Sequence, residues 1–333
     1  MEFVCRDIRA RLSNVRHLVL TVSLLGTTSL AVQHYSMAYK HILGSYQLAS
    51  LTTRFTEPFD ATAMLETQVS TLVELDTLLL IVADPATGFR VASFPRLKRL
   101  KLHSTRRPEV SSGVGCVLDF GKAFPLLESL DMYTEELCHF GGEDLGSILH
   151  ITSTCTRLQS LKLSTSQELT AIPSTLPIVF NHLESLELWS HVLKEEHMRL
   201  LAAVHWPSLT LIHYWSERIY PRIVPQFLNH TPKLEWLTIC IRSYVEFFPD
   251  VAKMFGQTPW PNLQGVCIDN WSRHTSSRGF DQVKVMKKAC PNALIHLKFT
   301  TDDEDDGVAM HGVNLPRPRG FRCDKCAENR LYT

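Results

Sequence analysis

The chain has 333 residues, with 34 basic and 34 acidic side chains and so a formal net charge of zero. That balance argues against a general nucleic-acid or membrane-surface binder, which would carry a basic excess, and the short, broken apolar runs argue against a transmembrane helix. The cysteines at 5, 116, 138, 155, 240, 267, 290, 323 and 326 are odd in number and dispersed, which fits reduced thiols in the cytoplasm or nucleus.

Residues 1–14 form a short N-terminal segment, charged as MEFVCRDIRARL and unlike a secretory signal. From residue 15 one phrase recurs. It reads FPRLKRLKL at 94–102, FPLLESLDM at 124–132, CTRLQSLKL at 155–163 and FNHLESLEL at 180–188, then WPSLTLIHY at 206–214, TPKLEWLTI at 231–239 and WPNLQGVCI at 260–268. Looser copies are Val15-Leu18-Leu20, Leu48-Leu51-Thr53 and Leu75-Leu78-Leu80, and Leu294-Leu297-Phe299 with one extra residue after Pro291. The first apolar position then recurs about every 28 residues, inside the range of a leucine-rich repeat.

Alternation in the last two apolar positions predicts a short strand, and the first leucine wedges below the turn. Proline two residues before that leucine stops a helix and extends its predecessor. The expected fold is α/β: a leucine-rich-repeat solenoid, or horseshoe, of about 10–11 irregular repeats over 15–300. Parallel strands would form a concave sheet and helices the convex side, each repeat burying its apolar face on its neighbours. Convex helices are expected at 60–75, 143–155, 195–206, 222–231, 244–257 and 281–290, and a Ser/Gly-rich loop at 103–116. Beyond the solenoid, 301–333 reads as an acidic and proline-rich tail, carrying DDEDD and LPRPRG.

Catalytic patterns are missing: there is no phosphate-binding glycine loop, no G-x-S-x-G and no H-E-x-x-H. Cys323 and Cys326 form a C-x-x-C without a second ligand pair, so they read as free tail thiols rather than a zinc or redox site. Cys155 and Cys290, just before the strand, read as buried structural thiols. The expected protein is therefore not an enzyme, and neither cofactor nor metal is expected.

Residues pointing away from the leucine core say more. The position after the last apolar one gives Thr21, Arg54, Ile81, His103, Tyr133, Ser164, Trp189, Trp215, Cys240, Asp269 and Thr300. The position before it gives Lys101, Asp131, Lys162, Glu187, His213 and Thr238, with Trp236 one step further back. Tyr133, Trp189, His213, Trp215 and Trp236 should thus cluster on the concave face. Tyrosine and tryptophan are favoured in binding hot spots, which makes this cluster a candidate partner site; the alternative is that the rings only pack on each other. The basic set Arg96, Lys98, Arg99, Lys101, Arg106 and Arg107 reads as a solvated repeat edge.

Irregular repeats, P-x-L-x-x-L-x-L phrases and the pre-strand cysteines Cys155 and Cys290 resemble the leucine-rich-repeat region of F-box proteins, in a fungal-type style with cysteine-containing repeats. The resemblance covers about 15–300. It implies that the repeats hold a protein substrate on the concave face while an N-terminal F-box grips a Skp-type adaptor of a cullin ubiquitin ligase. No L-P-x-E-[LIV]-like helix stands in residues 1–14, so adaptor binding is not expected of the segments present. The reading is a non-enzymatic protein-protein recognition module. The alternative is a stand-alone leucine-rich-repeat scaffold unconnected with ubiquitin.

Overall fold

A computed structural model describes residues 15–22, 46–60, 68, 70–81, 94–103, 120–133, 145–165, 177–190, 194–216, 223–241, 260, 262–270, 286–288 and 290–299. The chain divides into two compact units. The first is Met1–Thr165 with Leu169–Ile178, and the second is Ser166–Glu168 with Val179–Thr333.

In the first unit lie β1 (His17–Val22), β2 (Ser50–Asp60), β3 (Glu74–Ile81), β4 (Arg99–His103), β5 (Ser129–Tyr133) and β6 (Ser160–Thr165), with helices α1 (Phe120–Ala123) and α2 (Leu145–Ser153). The second holds β7 (Ser185–Ser190), β8 (Leu211–Ser216), β9 (Trp236–Ile241), β10 (Gly265–Asn270) and β11 (Leu294–Phe299), with α3 (Glu195–Ala203) and α4 (Val224–Asn229). Within each unit every strand pairs in parallel with the next strand in the chain. Parallel neighbours in strict sequence order, each reached through a crossover, are the topology of an α/β solenoid-like repeat protein.

The recurring phrase explains that topology atom by atom. Its opening residue and the first core residue close a turn: the N–H of Leu97, Leu127, Leu158, Leu209, Leu234, Leu263 and Ala293 donates to the carbonyl three residues earlier at 3.0–3.4 Å. Proline therefore stands at the second position of a β-turn, where its fixed φ is favoured and no N–H is required. The residue after the first core position then joins repeats. The Lys98 carbonyl accepts from the N–H of Glu128 (2.8 Å) and Ser129 (2.9 Å), and Glu128 in turn accepts from Gln159 (2.9 Å) and Ser160 (3.0 Å). In the second unit the Glu184, Thr210 and Glu235 carbonyls do the same for the next repeat. These rungs need only main-chain atoms, so side chains beside them are free to vary.

The leucines fill the core. From Leu48 onward, every described first and second core position is at most 4% exposed, each buried leucine contributing about 1.5–3 kcal/mol. Val15, Leu18 and Leu20 are only half-buried. The openers add an aromatic layer: Phe94 stacks on Phe124 with centroids 6.1 Å apart, and Phe180 on Trp206 at 4.9 Å and 4°. Trp206 is fully buried, and its indole N–H donates to the Leu201 carbonyl at 3.1 Å. Cys155 and Cys290 take the same opening position and are 4% and 1% exposed, as buried packing thiols should be.

Register corrects the frame in two places. Leu75 pairs with Leu51 and Leu100, so it is the second core position of its repeat, and Leu72, fully buried, is the first. A leucine-rich stretch, LVELDTLLL, offered two frames three residues apart, and the turn ending at Leu72 selects the other one. At the last repeat Val266 pairs with Ile295 and Ile268 with Leu297, so the core runs Ala293, Ile295, Leu297. Small Ala293 hides the first position, and the stretch from the turn to the strand, Cys290 to Ile295, is one residue shorter than Trp260 to Val266 rather than one longer.

Helices were less legible. Those expected at 143–155, 195–206 and 222–231 are present as α2, α3 and α4. The helix expected at 60–75 is overturned at both ends: Asp60 closes β2, while Thr71–Val73 turn into β3. Residues 286–288 are helical within the expected 281–290. The expected helix 244–257, the loop after His103, segment 1–14 and tail 301–333 lie outside the described residues. In α3 the acidic first turn suits the helix dipole, Glu195 pairs with Arg199 at 2.6 Å, and the opposite side buries Met198 and Leu201.

Candidate partner-binding face

Side chains alternate across a strand, so the residues between the core positions share the opposite face. In the second unit, register sets three rows there. The first is Ser185, Leu211, Trp236 and Gly265; the second Glu187, His213, Thr238 and Cys267; the third Trp189, Trp215, Cys240 and Asp269. The third row ends on Lys298, not Thr300, and in the first unit Leu78, not Ile81, stands opposite Arg54 and His103. Both changes follow from the two frame corrections.

Three of the expected site residues meet. Trp189 and Trp215 are register partners on β7 and β8, and their rings stack at 5.9 Å and 22°. His213 lies 5.2 Å from Trp189 in a tilted arrangement. The Trp189 indole N–H donates to Glu187 Oε2 at 3.4 Å. All three rings are half-buried, leaving part of each accessible. A neighbour that was not singled out completes the group: Cys240 Sγ is 3.8 Å from His213 Nε2. His213 and Cys240 stand in adjacent rows on neighbouring strands, a proximity legible only once the register is known.

Trp236 behaves differently. It is 4% exposed, and its ring covers Gly265: a Cβ there would stand 2.3 Å from Cζ3 and 2.4 Å from Cε3. Thr238 and Cys267 on the same face are also buried, at 2% and 1% exposure. The face is closed around the indole, while the half-buried side chains of Trp189, His213 and Trp215 lie over β7 and β8 and that of Cys240 on β9. Tyr133 occupies the register position opposite Ser164 in the first unit; its side chain lies outside the described residues.

The first unit presents charge instead. Asp76, Lys101, Asp131 and Lys162 occupy one row with alternating sign. Asp131 sits between Lys101 (4.0 Å) and Lys162 (3.9 Å), Arg99 pairs with Glu74, and Lys98 with Glu128 at 2.7 Å. Cross-strand pairs of this kind contribute roughly 0.2–1 kcal/mol each. Of the six basic residues noted in the sequence, Lys98, Arg99 and Lys101 are thus tied to acidic neighbours and Arg96 is exposed; Arg106 and Arg107 lie outside the described residues.

Among the described residues no group of three or more His, Cys, Asp or Glu side chains is placed to hold a metal ion. A shallow groove of about 440 Å³ lies along the turns of the second unit, lined by Lys233, Glu235, Asn262, Gln264 and Asn292, and none of the aromatic cluster reaches it. No protein-family model matches the chain, and no curated protein matches it.

Proposed function

We propose that this chain is a leucine-rich-repeat recognition module that captures a protein partner on the face carrying Trp189, His213 and Trp215. The observation behind the proposal is the half-buried tryptophan stack on strands whose backbones are fixed by the repeated turn and rung. Stacked indoles offer large apolar area with few rotors left to freeze, the property that makes tryptophan a binding hot spot. Charge on the row of the first unit is already matched across strands, which favours the aromatic part as the anchor. The family resemblance adds the expectation that the partner is a substrate of a ubiquitin ligase, while a Skp-type adaptor is not expected to bind the segments present.

The test is affinity purification of tagged wild-type chain and a Trp189→Ala/Trp215→Ala variant from matched cells, with circular dichroism as the folding control. A partner retained by the wild type should fall roughly 30-fold or more with the variant, the scale of one hot spot. Equal retention by a folded variant overturns the site. An adaptor that co-purifies supports the ubiquitin branch; partner without adaptor supports the stand-alone scaffold.

A further inference from the structure

The described cysteines fall into two classes. Cys155, Cys267 and Cys290 are 4%, 1% and 1% exposed, whereas Cys240 is half-buried. The Cys240 sulfur lies 3.8 Å from His213 Nε2. A thiol is nucleophilic only as thiolate, and an adjacent imidazole both accepts its proton and stabilises the anion that results. Accessibility and a base within reach are the two things a reactive cysteine needs. They coincide at Cys240.

We propose that Cys240 is a nucleophilic, oxidisable thiol activated by His213, and that its modification changes the surface beside Trp215. In the step envisaged, His213 Nε2 takes the thiol proton, leaving thiolate and imidazolium. The thiolate attacks one oxygen of a hydroperoxide, here hydrogen peroxide. An S–O bond forms as the O–O bond breaks; sulfur is oxidised to sulfenic acid and the peroxide oxygen is reduced. The departing hydroxide takes the proton back from His213 and leaves as water. Cys240 and Trp215 are register partners, so the added oxygen lies next to the indole pair.

Other titratable residues hold neighbouring register positions. Glu187 on β7 is the register partner of His213; on β10, buried Cys267 lies one row over, and Asp269 is the register partner of Cys240.

The experiment uses the full chain and iodoacetamide, with site-resolved peptide mass spectrometry across pH 5–10. At pH 7, Cys240 in the folded chain should react about threefold to tenfold faster than in the urea-unfolded chain, because a larger thiolate fraction outweighs the lower basicity of that thiolate. Cys155, Cys267 and Cys290 should all react more slowly folded than unfolded. Replacing His213 by Gln should remove the advantage at pH 7 and leave the rate at pH 10 unchanged. Hydrogen peroxide followed by dimedone should tag Cys240. A wild-type profile with one inflection near the ordinary thiol value, and no gain over the unfolded chain, overturns the proposal without recourse to any variant. A folded His213→Gln chain with an unaltered profile overturns the role of the histidine, and the absence of a dimedone adduct overturns the oxidation step.

Discussion

Gly265→Ala tests the closed part of the face most directly. An alanine Cβ would stand 2.3 Å and 2.4 Å from two carbons of the Trp236 ring, against ordinary contact at 3.4–4 Å. The indole must retreat by about an ångström, yet it is only 4% exposed and has little room. Overpacking of this kind costs about 1–3 kcal/mol, partly offset by the ~0.5–1 kcal/mol that alanine gains over glycine within a strand. A net loss of about 1–2 kcal/mol should follow, read as a lower urea midpoint by circular dichroism. The decisive measurement is the double mutant with Trp236→Leu. That change alone costs roughly 2–4 kcal/mol by emptying the indole's place, but it also removes the clash, so the double mutant should lose about 1–2 kcal/mol less than the two single losses added together. A neutral or stabilising Gly265→Ala, or losses that add within ~0.5 kcal/mol, would show that the glycine is not there to seat the ring.

Two further outcomes bear on the core. Gly121→Ala should destabilise more than Gly265→Ala, by about 2–3 kcal/mol in the same urea titration, because its Cβ would meet the Thr154 carbonyl oxygen at 2.4 Å and main chain cannot turn aside; equal or smaller loss contradicts the argument. Burial pushes the Cys290 thiol from 9.0 up to about 11, with Lys287 pulling the other way. Folding thus favours the protonated thiol, and this stabilisation is complete below pH 9 and disappears as pH rises through 11. It amounts at most to about 2–3 kcal/mol, and Cys290→Ala should flatten the stability profile between pH 9 and 11; an unchanged slope contradicts the assignment.

How far the sequence could be read depended on what carries the signal. Leucine at fixed spacing reports burial directly, so the parallel strands and their order were legible from FPRLKRLKL and its copies. Misreading arose where several frames bury equally well, as in LVELDTLLL, or where a small residue fills a core position, as at Ala293. The ends of the expected 60–75 helix failed for a related reason. Met64, Leu65, Val69 and Leu72 have helical spacing, but Leu72 belongs to the turn of the next repeat, and Gln68 is held as a buried bridge, its amide donating to the Tyr46 carbonyl at 3.2 Å and accepting from Leu48 N–H at 3.1 Å. Of the candidate site, the Trp189–Trp215–His213 group followed from alternation alone. Burial of Trp236 did not, because it depends on the glycine one strand away.

That exception shows what separates surface from scaffold in this molecule. The turn and rung use main-chain atoms, and the core uses the leucine positions, so residues facing away from the core are bound by neither. Such positions carry alternating charge in the first unit and rings with a thiol in the second. Coupling enters only where a side chain is larger than its own place in the register. Trp189 and Trp215 solve this by stacking on each other, and each keeps an accessible part. Trp236 has no ring beside it on β10 and takes the space left by Gly265, at the cost of its own exposure. The same residue type, one or two strands apart, is thus a candidate anchor in one row and part of the packing in another, and the neighbouring strand decides which.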